Sequence, residues 1–111
     1  TTAAKNQFIH KEPYEFAQFC LQLWPGRHKG QFLSDENLKK EPFATQHRKL
    51  AYYLFPGIDI RGIYQNKTSD CLIFFHKKNA AQYVPPGFKI IGVYNNSNLI
   101  AARIDTDVTH P

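Results

Sequence analysis

After Gly57 the chain stops placing its apolar residues at helical spacing and writes short β-rich runs instead, and no other feature constrains its fold as strongly. Before that point two helices are legible. In "PYEFAQFCLQLWPG", Phe16, Phe19, Cys20 and Leu23 fall at i, i+3, i+4 and i+7, forming one apolar face, and Pro13 suits a first turn. Trp24-Pro25-Gly26 ends the helix, because a residue before proline disfavours helical backbone. In "PFATQHRKLAYYLFPG" the face is Phe43, His47, Leu50, Ala51 and Leu54, opened by Pro42 and closed by Pro56-Gly57. The polar, basic stretch between the helices reads as a surface linker in which Ser34 caps a short helical turn.

The later half predicts strands near Ile58–Gln65, Asp70–Lys77, Phe88–Tyr94 and Leu99–Asp105. Helices first and strands second point to an α+β fold: two N-terminal helices plus a short helical turn, packed on a C-terminal four-stranded antiparallel sheet. Cys71 to Phe75 is apolar at every position, so its strand is expected to be central, with helices over at least one face. A phrase repeats in this half. Ile60-Arg61-Gly62-Ile63-Tyr64-Gln65-Asn66 is echoed by Ile90-Ile91-Gly92-Val93-Tyr94-Asn95-Asn96, and each copy is followed by turn residues and a Leu-Ile pair. The echo predicts two similar hairpins, with Gly62 and Gly92 mid-strand and Tyr64 and Tyr94 on the same face as the glycines. Residues 1–111 are read as one domain, with a helical part at 13–55 and a β part at 57–106. The chain opens Thr1-Thr2 and contains no Met, so excision from a longer protein is expected.

A hydrophobic fraction of 42% suffices for a core without staples. Cys20 lies on the apolar helical face and Cys71 opens an apolar strand, so both are expected as buried thiols, a disulfide between them being the alternative. Neither has a Cys or His neighbour at metal-ligand spacing, and no metal or cofactor is expected. No apolar run approaches the roughly 20 residues that cross a bilayer, and "TTAAKNQFIHKEP" is too polar for a signal peptide. Neither a membrane partner nor a targeting segment is read. Fourteen Lys and Arg against nine Asp and Glu give a net charge of +5, which favours polyanionic partners.

Gly62-Ile63-Tyr64 resembles the first half of the signature of GIY-YIG nucleases, which carry Tyr-Ile-Gly on the next strand, an arginine-bearing helix and a later metal-binding glutamate. Here the next strand reads Leu72-Ile73-Phe74-Phe75 and the last glutamate is Glu41, so the likeness ends at its first motif. Glycine-rich phosphate loops and nucleophile elbows are absent from the sequence. The strand half has only Asp59, Asp70, Asp105 and Asp107 as acids, too few ligands for a two-metal nuclease.

Histidine with cations is the remaining catalytic vocabulary. Metal-free RNA cleavage needs a base, an acid and a cation for the phosphorane-like transition state. His76, followed by Lys77 and Lys78, is the first candidate, with His28 and His47 as partners. The compact basic loop "PGRHKG" offers Arg27 and Lys29 to phosphate, and Lys39, Lys40, Arg48, Lys49 and Arg61 extend the basic region. Tyr64 and Tyr94 are candidate stacking rings, and of the adjacent Tyr52 and Tyr53 only one can face the helix-packing side. The leading expectation is a basic nucleic-acid-binding module for RNA or single strands ahead of duplex DNA. The alternative is a metal-independent, toxin-like ribonuclease, by analogy of layout with bacterial ribonuclease toxins. A protein-interaction module with an acidic protein partner is the third reading.

Overall fold

The computed structural model of the chain describes residues 2–37, 39–65 and 67–104, with side chains from residue 11 onward. Helix α1 spans Thr2–Leu23, strand β1 His28–Leu33, helix α2 Phe43–Leu54, β2 Ile58–Asp59, β3 Cys71–Phe74, β4 Phe88–Asn95 and β5 Asn98–Arg103; a single 3-10 turn, Ala80–Tyr83, separates β3 from β4. The α+β class and the two helices stand as expected. Asn66 and the expected ends of the last strand and the β part, Asp105 and Thr106, lie outside the described residues.

The sheet has five strands in the order β2-β1-β3-β5-β4 and is mixed, which corrects the expected four antiparallel strands. β1 pairs in parallel with both neighbours, His28 and Lys29 alongside Ile58 and Asp59, then Gly30–Leu33 alongside Cys71–Phe74. β3 pairs antiparallel with β5, and β5 with β4. The first expected hairpin therefore does not form: β2 and β3 run the same way with β1 between them, and Ile60–Gln65 leaves the sheet. The second hairpin does form, with Asn96-Ser97 as its turn and Gly92 beside a register shift in β4.

Strand β1 falls within the expected surface linker, whose polar and basic residues carry no strand pattern. What admits it to the sheet is Gly30, where a Cβ would come within 3.0 Å of the Ile58 and Ile60 side chains and 3.1 Å of the Cys71 sulfur. The missing side chain lets those three residues fill the space under the helices. Among the described residues the expected helical turn after Ser34 is also missing: residues 35 and 36 bend, and Ser34 Oγ accepts the Glu36 N–H at 3.0 Å, a local bond that competes with helix.

Both helices lie on one face. Phe16, Ala17 and Cys20 of α1 and Leu50, Ala51 and Leu54 of α2 pack with Ile58, Ile60, Cys71, Ile73, Phe75 and Ile100. The buried stripe of α1 is thus turned toward Ala17, leaving Leu23 41% exposed at the helix end. α1 also continues N-terminal to Pro13, whose ring is fully buried inside the helix rather than opening it. On the other face Leu72, Phe74, Leu99 and Ala101 pack with Ala80 and Phe88. β3 is buried on both faces, as its unbroken apolar run required.

Cys20 and Cys71 are free and buried. Burial pushes the Cys20 thiol up to about 12 and raises Cys71 as well, so neither carries the thiolate that reacts. Both thiols are expected to resist a disulfide-exchange reagent in the native protein and to react together on unfolding in denaturant. Rapid native labelling of either would contradict this packing.

Candidate functional site

Because β1 and β3 are parallel, the residues that precede both strands share one end of the sheet and those that follow share the other. The first end is basic and aromatic. Arg27, His28 and Lys29 line an open hollow of about 300 Å³ with Phe55, Pro56, Asp59 and Asp70. Arg27 and His28 also line a second, of about 380 Å³, with Trp24, Asp70 and Arg103. The groups are held in place. His28 stacks on Trp24 with ring centroids 3.5 Å apart and approaches the Pro25 carbonyl at 2.9 Å through Nε2. Asp70 accepts the Lys29 N–H at 2.8 Å, and Arg61 lies over the Phe55 ring at 3.7 Å while donating to Asp59 at 2.9 and 3.2 Å. Those bonds from Arg61 hold the Asp59 carboxyl below its usual range. The Lys29 ammonium sits 5.6 Å from the Tyr64 ring, and the Arg103 guanidinium 4.8 Å from Phe88.

The outer face of α2 leads to this end. Thr45, Arg48, Lys49 and Tyr52 line a hollow of about 390 Å³, and Phe55, three residues past Tyr52, borders the first basic hollow. Positions 45, 48, 49, 52 and 55 share one side of a helix and its cap. Arg48 is steadied by Glu41 at 3.2 Å, and Glu41 in turn accepts from the Thr45 hydroxyl. Tyr52 is 75% exposed, so its ring face meets solvent between two cations and the hollow.

The other end of the sheet is built around His76. From β1 the chain turns to α2 on the helix face, and from β3 to the 3-10 turn on the opposite face; such divergence opens a space at the carboxyl ends of parallel strands. His76 stands there with φ +55°, in the left-handed region that few residues other than glycine adopt. The fully buried Asn98 holds it, accepting the His76 N–H at 2.8 Å and donating to Glu12 at 3.0 Å. Nε2 of His76 meets Glu12 at 2.6 Å and Nδ1 meets Glu36 at 3.2 Å, while the ring stacks on Phe75. Each ring nitrogen of His76 thus faces a carboxylate oxygen. Nearby, Lys77 donates to Asp35 at 2.8 Å, lowering the Asp35 carboxyl, and lies over Tyr83 at 4.0 Å. Tyr94 donates to Glu15 at 2.6 Å, a bond that pushes the phenol up to about 12.

His28 and His76 therefore do not converge. Gly30 is level with Cys71, so His28 and His76 are separated by about seven strand positions, roughly 20 Å. His47 sits on α2 against Phe32, its Nε2 buried and without a hydrogen-bond partner among the described residues. Of the expected binding residues, Arg27, Lys29, Arg61 and Tyr64 come together, and Arg48 and Lys49 lie along the α2 approach. Lys39 and Lys40 are exposed on the turn before α2. Lys77 and Lys78 stand at the His76 end on Asp35, and Tyr94 packs against Phe16 and Phe19. Trp24, Phe55 and Arg103 escaped sequence reading because only tertiary contacts bring them to the hollows; Tyr52 had a signal in its spacing from Arg48 and Lys49. Glu12, Glu36 and Asn98 had none. Among the described residues no group of three or more His, Cys, Asp or Glu side chains is arranged to hold a metal ion. No helix of the described residues is long and apolar enough to cross a membrane. Searches of protein-family models, curated proteins and solved structures return no match to the chain.

Two outcomes test this geometry. Asn98→Ala leaves the His76 N–H unpaired, removes one of the two amide bonds to Glu12 Oε2, and is expected to cost about 2 kcal/mol, read as a lowered urea midpoint. Burial, and then the neighbouring Arg48 charge, hold the His47 imidazole below its ordinary value of 6.5. The unfolded chain then takes up a proton near that pH which the folded chain refuses, so this contribution is intact above it and is lost as pH falls below it. His47→Leu should flatten that part of the stability curve; an unchanged slope would contradict the assignment.

Proposed function

We propose that the protein binds single-stranded nucleic acid, RNA above all, along the track that runs from the outer face of α2 to the basic end of the sheet. The observation that carries this reading is the alternation of cations and exposed rings on one continuous path: Arg48 and Lys49, Tyr52, Phe55 under Arg61, then Arg27 and Lys29 beside Tyr64. Single-strand binders pair backbone phosphates with cations and stack bases on neighbouring rings. RNA is the preferred form because its loops offer unpaired bases to such rings. An acidic protein would meet the same cations without needing the rings. Metal-independent ribonuclease activity, with His76 at its centre, ranks second because His28 stands at the opposite end of the sheet from His76.

Mixed-sequence RNA and single-stranded DNA in EDTA, followed by anisotropy and on a denaturing gel, test the readings together. Affinity should fall steeply with salt, and Arg27→Ala with Lys29→Ala should reduce the logarithmic salt slope by about 1.4, two phosphate contacts on a single strand. Tyr52→Ala should weaken binding by roughly tenfold, the loss of one stacked base. No binding at low salt removes the proposal; cleavage in EDTA that disappears in His76→Ala replaces it with the ribonuclease.

A further inference from the structure

The loop between β2 and β3 holds an isoleucine out in water. Ile63 is fully exposed, at 101% of its reference area, while the residues around it are tied down. Arg61 is fixed to Asp59 through its N–H and guanidinium. Tyr64 folds back over Gly62, where a Cβ would lie 2.8 Å from the ring, and its ring faces the Lys29 ammonium. At the far foot, the Thr68 and Ser69 hydroxyls donate to the Gln65 carbonyl at 3.0 and 2.9 Å. A loop free to collapse would turn its exposed aliphatic side chain inward as Ile60 already is, since burying an isoleucine is favourable. Here glycine at position 62 lets Tyr64 take the inward place, and Ile63 is left at the tip.

The surroundings of that tip identify what it meets. Arg61 and Tyr64, on either side, reach toward Phe55 and Lys29 of the basic hollow, and Lys67 follows on the same loop. We propose that Ile63 is a wedge that enters between two adjacent bases of the bound strand while the flanking cations hold the phosphates, so that the protein selects strands whose bases it can unstack. Aliphatic side chains inserted at base steps act in this way beside phosphate-binding cations. The inference rests on the nucleic-acid reading above and adds to it a substrate preference: flexible, weakly stacked steps over stiff ones. It also gives a role to Gly62-Ile63-Tyr64, which the nuclease resemblance left without one.

The probe is a single-stranded RNA with 2-aminopurine at successive central positions, titrated to saturation, with phosphatidylcholine vesicles containing phosphatidylserine as a parallel arm. With the wild-type protein, fluorescence should rise at one position, the signature of an unstacked base. Ile63→Ser changes only an exposed side chain; it should weaken binding severalfold and abolish the rise at saturation. A saturated Ile63→Ser complex with the full rise overturns the wedge and leaves the binding track standing. No RNA binding by the wild type overturns both. Vesicle binding that depends on Ile63, with no change in 2-aminopurine on RNA, overturns the wedge in favour of a lipid surface.

Discussion

The parallel pairing of Gly30–Leu33 with Cys71–Phe74 decides what the rest of the molecule can do. In a parallel pair both strands begin at one end and both finish at the other. Trp24 to Arg27 therefore meets Tyr64 to Asp70, and Ser34 to Glu36 meets Phe75 to Lys78. Had the two strands run antiparallel, Arg27 and His28 would have stood beside His76. The same pairing biases charge. Arg27, Lys29, Arg61 and Arg103 outnumber Asp59 and Asp70 at one end, while Glu12, Glu36 and Asp35 surround His76 and Lys77 at the other.

Local pattern carried the elements whose burial follows from their own residues. The apolar face of α2, the two-sided burial of β3 and the β4–β5 hairpin could be read directly, because α2 repeats its apolar residues at helical spacing, β3 is an unbroken apolar run and Asn96-Ser97 supplies turn residues. β1 could not. Its polar first half sits at the hollow-lining end of the sheet, and its place depends on Gly30 meeting Ile58, Ile60 and Cys71 from other segments. β2 is two residues long and has no period at all. The site divides in the same way: the cations were visible as charge, but Glu12 and His76 are 64 residues apart and only the register of β1 and β3 with α1 brings them together.

His76 shows how a strained residue can be structural. Its left-handed backbone costs energy that the surroundings must supply. Asn98, Glu12 and Glu36 supply it from three separate elements, so the imidazole fastens α1 and the end of β1 to the end of β3. The two ring bonds hold both imidazole nitrogens against carboxylates, whereas the Asn98 bond holds the backbone. The rings on the α2 track are in the opposite condition. Tyr52 spends little of its surface on the fold, and what a side chain does not spend on packing is available to a ligand.

The twin phrases make the same point at the scale of three residues. In Gly92-Val93-Tyr94 the backbone stays in the β4–β5 ladder, and Tyr94 turns inward to Phe16 and Phe19 under the constraint of α1. In Gly62-Ile63-Tyr64 no partner strand continues past Asp59, so the chain leaves the sheet and Tyr64 folds onto its own glycine. Nearly identical letters thus give a core tyrosine in one copy and an exposed isoleucine in the other. The difference lies in whether a neighbouring strand is long enough to hold the backbone, and a two-residue β2 is not.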